Sequence, residues 1–312
     1  MTRADDSSLD AVQRRAVEDR ARSLLDRASA WDRFPTPVDD LLQAASVQVA
    51  PSSVFDSTQI IAYIRGKTAN VGHLLKSAIS KVLGLYDAAE CVIHIDDTVV
   101  VVKQAFLKLH ETGHHEMPTH RKTYSIFQDC EKTLDPATAD LFEREANNFA
   151  RYVLFQGDGY ARVAADCKFE LKTPIKLAKK FGASVYASAR EFARTSTRPC
   201  VVYVLEPIQY VHGLGAQAMV RRIEASAAFI ERFGRPNDAV INLDHALGVV
   251  LPVGRRMTRP TALPIKDRNG QQHECVAEAF DTTFNVLILL YPTRALTAST
   301  VVLPSAFVVD SQ

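Results

Sequence analysis

The run His110-Glu111-Thr112-Gly113-His114 sets two imidazoles four residues apart, with a carboxylate directly after the first. On a helix, positions i and i+4 lie on one face, one turn apart, so both rings can reach a single point. Two imidazole nitrogens so placed can hold one Zn²⁺ at about 2.0–2.1 Å each. Glu111 projects beside such an ion rather than at it. There it can take a proton from a water that the ion has acidified, which is the chemistry of metal-assisted hydrolysis. A catalytic zinc takes a third protein donor and leaves its fourth position open.

The next helical segment offers that donor in Glu143-Arg144-Glu145-Ala146-Asn147-Asn148-Phe149-Ala150. Around a helix, Asp140, Arg144, Asn147, Asn148 and Arg151 form the polar arc. Glu145 falls outside it, between Leu141 at i−4 and Phe149 at i+4. A carboxylate among apolar neighbours must be paired, bind a metal or change its pKa. Glu143 borders the other edge of the apolar face. Periodicity favours Glu145 and leaves Glu143 open. The plain alternative for each is a half-exposed helix glutamate paired with an arginine.

The elements that must position these groups follow from spacing. Cys91–Asp96 reads as a strand. Val99, Val102, Phe106, Leu109 and Gly113 recur in steps of three and four, predicting a helix that carries the motif at its C-terminal end and stops at Met117-Pro118. Asp135-Pro136 is a helix start, and Leu141, Phe142, Ala146, Phe149, Ala150 and Val153 form its apolar face to about Phe155. Upstream, residues 8–30 predict an amphipathic helix, Val38–Leu42 a short helix and Val47–Val49 a strand. Downstream, Lys176–Ala193 has helix–glycine–helix spacing. Beyond Pro199 the reading is strand at Val201–Leu205, helix at Ala216–Phe233, and strands at Val249–Leu251, Val286–Tyr291 and Val301–Val309.

The other histidines carry weaker signals. His115 reads as exposed, and His120, past Pro118, as loop surface. His73, His94, His212, His245 and His273 read as structural. Tyr124, Tyr152, His115 and His120 are the candidate donors to a developing oxyanion.

Composition narrows the function classes. Among 312 residues, 37 Lys and Arg balance 36 Asp and Glu, for a formal charge of +1, so there is no chain-wide attraction to nucleic acid or to an anionic membrane. A hydrophobic share of 47% against 23% charged is that of a globular chain long enough to bury a full core. No apolar run nears the ~20 residues of a membrane span, and the charged start has no signal-peptide core. Five scattered cysteines without a CxxC pair argue for buried thiols in a reducing, cytoplasmic compartment.

Two motifs together resemble the ImmA/IrrE family of metallopeptidases: Phe106-x-x-x-His110-Glu111-x-Gly113-His114, and Glu145-Ala146-Asn147-x-Phe149-Ala150. Pro37-Val38-Asp39 and the Ile93–Asp96 strand add to the likeness, which spans residues ~10 to ~195. Thr112 stands where an apolar residue is usual, and Tyr152–Phe155 lacks the proline that commonly closes the second motif. The resemblance implies His110, His114 and Glu145 as ligands of one Zn²⁺ (Mn²⁺ the alternative) and Glu111 as catalytic base. It implies an intracellular endopeptidase whose protein substrate is a helix-turn-helix transcriptional repressor, cleaved in a bacterial stress or mobile-element response. The expected class is α+β: a mainly helical zinc-peptidase domain with a small sheet (1–160), a helix-turn-helix-like connector (161–199), and a C-terminal α/β domain, GAF-like and sensory in some members of the family (200–312). The competing expectation is a non-proteolytic, metal-containing regulator that binds DNA through residues 168–197, with Lys179, Lys180, Arg190, Arg194 and Arg198 on phosphates.

Overall fold

The fold is that of a computed structural model, which describes residues 8–50, 84–87, 91–95, 99–129, 135–213 and 215–293. Helix α1 (Ala11–Arg27) opens on a capping box. Asp10 accepts from the Val12 and Gln13 amides, and the Gln13 side chain accepts from the Asp10 amide. Its buried face is Val17, Ala21, Leu24 and Leu25; the sequence spacing gives the last three but also sets Val12 and Ala16 on that face, and both are exposed. Helix α2 (Val38–Ala45) follows Pro37 and stops at Ser46, which takes a left-handed conformation. Three short strands come next, β1 (Gln48–Val49), β2 (Gly84–Asp87) and β3 (Val92–Ile95). They form a small sheet with β3 in the middle, parallel to β1 and antiparallel to β2.

Helix α3 (Val101–Glu116) carries the histidine motif in its last two turns. Met117 is extended, as a residue before proline prefers. Pro118 then opens α4 (Pro118–Asp129), where its missing amide proton costs nothing. The chain thus resumes as helix directly past the motif rather than running on as a surface loop. Helix α5 (Pro136–Phe155) starts on Asp135, which accepts from the Thr138 amide, with Pro136 at the first helical position. It ends at left-handed Gln156, whose side chain reaches the Arg33 carbonyl and the Asp32 amide. Helices α6 (Gly159–Ala165), α7 (Lys172–Phe181) and α8 (Val185–Thr195) follow. Gly182, at φ +72°, turns α7 into α8.

The remaining strands are β4 (Val201–Leu205), β5 (Gln209–Val211), β6 (Gly215–Ala225), β7 (Val240–Asn242), β8 (Thr261–Lys266), β9 (Gln272–Asp281) and β10 (Val286–Pro292). They form one sheet in the order β5-β6-β4-β10-β9-β8, with β7 also on β6, antiparallel at every pairing. The chain is therefore α+β.

Two expectations past residue 199 are corrected. Ala216–Phe233 is not one helix. Residues 215–225 form β6, and only Ala227–Phe233 is helical (α9), capped by Ser226 on the Phe229 amide. Ala216, Ala218 and Val220 are buried at every second position, so pairing with β5 and β7 over the first half and with β4 over the second overrides the helix-forming tendency of Ala, Met, Arg and Glu. Gly248–Val250 is a single 3₁₀ turn, too short and too locally bonded to join the sheet. The Val301–Val309 expectation lies outside the described residues.

The hydrophobic core does not break at residue 199. Val202 and Val204 of β4 and Leu287 and Leu289 of β10 pack with α1, α3, α5 and α8. Their alternates, Val201, Tyr203, Leu205, Val286, Ile288 and Leu290, face a second core with Phe229, Leu247 and Val250. Burial on both faces accounts for the unbroken apolar runs of these two strands. Among the described residues no helix is long and apolar enough to cross a membrane.

Candidate metal centre

The site forms where α3 crosses α5. Gly113 makes the crossing close: a Cβ there would lie 3.1 Å from Phe149 Cδ1 and 3.3 Å from the Ala146 Cα. The polar edge of α5 is thereby brought against the imidazoles. His110 Nε2 and His114 Nε2 are 3.2 Å apart. Glu143 Oε2 lies 3.2 Å from His110 Nε2, and Glu143 Oε1 lies 3.6 Å from His114 Nε2. Two donors bonded to one ion at ~2.0–2.1 Å in tetrahedral geometry stand about 3.3 Å apart. The three separations match that edge, so His110, His114 and Glu143 could hold one divalent ion, with donor chemistry that suits zinc.

Glu145 does not join them. Positions 143 and 145 lie about 200° apart around the helix, so α5 turns only one of them to the histidine pair. That one is Glu143. Glu145 Oε2 instead lies 2.6 Å from His120 Nε2. The apolar setting of Glu145 did call for a partner, and the partner is an imidazole supplied by α4 rather than an ion. The third-donor expectation therefore moves from Glu145 to Glu143.

His120 is likewise corrected. It is fully buried, stacked on Phe142 with ring centroids 3.9 Å apart, and its Nδ1 lies 3.0 Å from His114 Nδ1. It falls within α4, whose start at Pro118 folds the chain back over α5. His115 is buried as well, its Nδ1 lying 2.5 Å from the Tyr86 hydroxyl. Asn147, one turn after Glu143, hydrogen-bonds His110, a contact the sequence reading missed. Its i+4 spacing from Glu143 was the signal that could have found it.

The electrostatics separate the groups. Burial lowers the His114 pKa well below the usual histidine value, and the neighbouring charges of His110 and His120 lower it further, leaving a neutral ring. Burial also works against charge on His110, but the hydrogen bond to Glu143 and the charge of Glu111 outweigh it and the pKa rises. The Glu143 side chain is 56% exposed, so its desolvation is only partial, and its hydrogen bond and ion pair with His110 hold the carboxyl below its usual range. Glu111 is buried, and that burial pushes its carboxyl up to about 7, against the lowering charge of His110 and with the raising charge of Glu143. A base poised near neutrality beside the ligand set suits proton transfer.

Of the proposed oxyanion donors, His115 contacts Tyr86 and His120 contacts Glu145, while the Tyr152 hydroxyl accepts from Arg22, a contact that does not use its own proton. The side chain of Tyr124 lies outside the described residues, as do His73 and Asp96. Of the remaining histidines, His94 is buried, His245 pairs with Asp238 and His273 with Asp267, in keeping with structural roles. The cavity of about 620 Å³ beside His115 is lined by Arg20, Arg27, Glu116, Arg121 and Lys122 and by neither histidine of the motif.

The α7–α8 pair has the spacing of a helix-turn-helix, but its arginines and Lys180 are engaged, while Lys172, Lys176 and Lys179 are exposed. Arg190 and Arg194 bond Glu224 of β6, at 3.0 and 2.7 Å. Arg198 lies over the Phe169 ring, and Lys180 over Phe34. The second helix packs Ala189, Phe192 and Ala193 into the core.

No protein-family model matches the chain, and no curated protein matches it. Among solved structures, a Mycobacterium tuberculosis transcriptional regulator is similar over 88% of this chain and 80% of its own, at 13% identity and a TM-score of 0.42.

Proposed function

We propose that the chain is a zinc-dependent endopeptidase in which His110, His114 and Glu143 hold the ion and Glu111 is the general base. The observation that carries this reading is the convergence of three donor atoms at tetrahedral-edge distances, with a buried, proton-accepting carboxylate directly after the first. An ion held there would supply Lewis-acid polarisation of the scissile carbonyl and of the attacking water. Glu111 accepts a proton from that water and passes it to the leaving amine. Glu143 balances the charge of the imidazole side of the site. Burial of the motif around Thr112 and His114 keeps bulk water from competing.

Resemblance to ImmA/IrrE peptidases supports a helix-turn-helix repressor as the protein substrate and a cytoplasmic setting, which the four free cysteines among the described residues suit. The competing reading, DNA binding through residues 168–197, is disfavoured by the pairing of Arg190 and Arg194 with Glu224. The test is metal analysis of purified protein together with cleavage of candidate repressors. Glu111→Gln should keep one zinc per chain and lose cleavage. Cleavage at the wild-type rate in that variant, or no zinc uptake by the wild type, overturns the reading.

A further inference from the structure

We propose that Glu145 and His120 are positioning residues of the metal centre, a carboxylate–imidazole relay that holds His114 in the tautomer whose Nε2 lone pair faces the ion. The inference deepens the metallopeptidase reading and rests on its metal site, not on its substrate.

The proton positions follow from two distances. Glu145 Oε2 lies 2.6 Å from His120 Nε2, and a carboxylate only accepts, so the ring proton of His120 is on Nε2. With His114 Nε2 as the ligand atom, its ring proton belongs on Nδ1, and His120 Nδ1, 3.0 Å away, is the atom placed to accept it. That same Nε2 is the atom 3.2 Å from His110 Nε2 and 3.6 Å from Glu143. The relay therefore complements the ligand-competent tautomer, whereas a neutral histidine in water prefers its proton on Nε2. Metal-ligating histidines characteristically donate their second ring N–H to such a partner. Packing alone would not call for an imidazole here: His120 is stacked on Phe142 with no exposed surface, a place a phenyl ring could fill. Pro118 supplies the geometry, since starting α4 two residues before His120 sets that ring between His114 and Glu145.

The test needs no substrate. Long-range ¹H–¹⁵N correlation on the full chain reads the His114 tautomer, and competition with a chelator reads Zn²⁺ affinity. In the wild type, His114 should carry its proton on Nδ1. In His120→Phe, which keeps the stacking on Phe142, that proton should shift to Nε2, and zinc affinity should fall about 10–100-fold with one ion still bound at saturation. Glu145→Gln, whose amide oxygen can still accept from His120, should retain the wild-type tautomer, and Glu145→Leu should not. A wild-type His114 protonated on Nε2 overturns the relay without any variant having to fold. Unchanged zinc affinity in His120→Phe overturns the relay alone. Zinc lost from Glu145→Leu at saturation but kept by Glu143→Leu makes Glu145 a ligand and overturns it too. A wild type that takes up no zinc removes the metal reading and the purpose of the relay together, an outcome distinct from the other three.

Discussion

Gly113 faces Phe149 across the α3–α5 crossing so closely that a Cβ at position 113 would lie 3.1 Å from the Phe149 ring, tighter than ordinary van der Waals contact. This contact lets a helix bearing two imidazoles and a helix bearing a carboxylate share one point in space. Gly113→Ala should gain up to about 1 kcal/mol of helix propensity but meet the Ala146 backbone, which cannot swing aside. Overpacking of this kind costs about 1–3 kcal/mol, so the net expectation is a loss of stability by denaturant unfolding. Zinc affinity should weaken with it, because Glu143 is carried away from the histidines. An unchanged midpoint with unchanged affinity would mean that the helices tolerate separation.

Glu111 gives the metal-free protein a pH-dependent stability. Its folded pKa of about 7 exceeds the 4.5 of an unfolded glutamate. The folded chain therefore holds this proton more tightly, and stability falls as pH rises from about 4.5 to about 7. At 1.36 kcal/mol per unit, the penalty above pH 7 is about 3 kcal/mol at most. Glu111→Gln should raise the melting temperature of chelator-treated protein at pH 8 and leave it unchanged near pH 4. Equal melting temperatures at both pH values would contradict the burial-driven shift.

Zinc binding should weaken on acidification. The His110 pKa is raised by its contact with Glu143, so a proton competes more strongly for the place the ion takes. Binding then releases protons, and affinity should drop between pH 8 and pH 6. Calorimetry in two buffers of different ionisation enthalpy measures the release. Adding EDTA at pH 7.5 should lower the melting temperature, since the ion binds only the folded site.

Glu224 anchors α8 to the sheet through Arg190 and Arg194, and all three side chains are largely buried. Glu224→Ala leaves Arg190 without its carboxylate and Arg194 with only Glu191, 3.8 Å away, and should cost about 3–5 kcal/mol. Glu224→Gln should cost less. A change under 1 kcal/mol in urea unfolding of Glu224→Ala would show that the arginines find solvent instead.

Truncation at residue 199 should not release a folded helical part. It removes Val202, Val204, Leu287 and Leu289, which complete the core against α1, α5 and α8. The exposed apolar face should make residues 1–199 aggregate or unfold, seen as loss of the monomer peak in size exclusion. A soluble, cooperatively melting fragment would refute this.

Local chemistry made much of the molecule legible. Three-and-four periodicity together with Asp135-Pro136 gave α5 at its observed ends, and the histidine spacing set both rings on one face of α3. Two-faced apolar runs gave β4 and β10. All of these depend on a single period or cap within one element. What sequence alone could not settle was which of two glutamates, both on α5, faces the histidines. It also hid that His120 is buried and that residues 215–225 pair as a strand. Each of these depends on where another element lies: the rotation of α5 set by Gly113, the return of α4 at Pro118, and the presence of β4 beside β6. A chain reading supplies donors and their spacing along one helix. Only packing between helices fixes which donor meets which, because two residues separated by 200° on one axis differ in nothing but the neighbour each is turned toward.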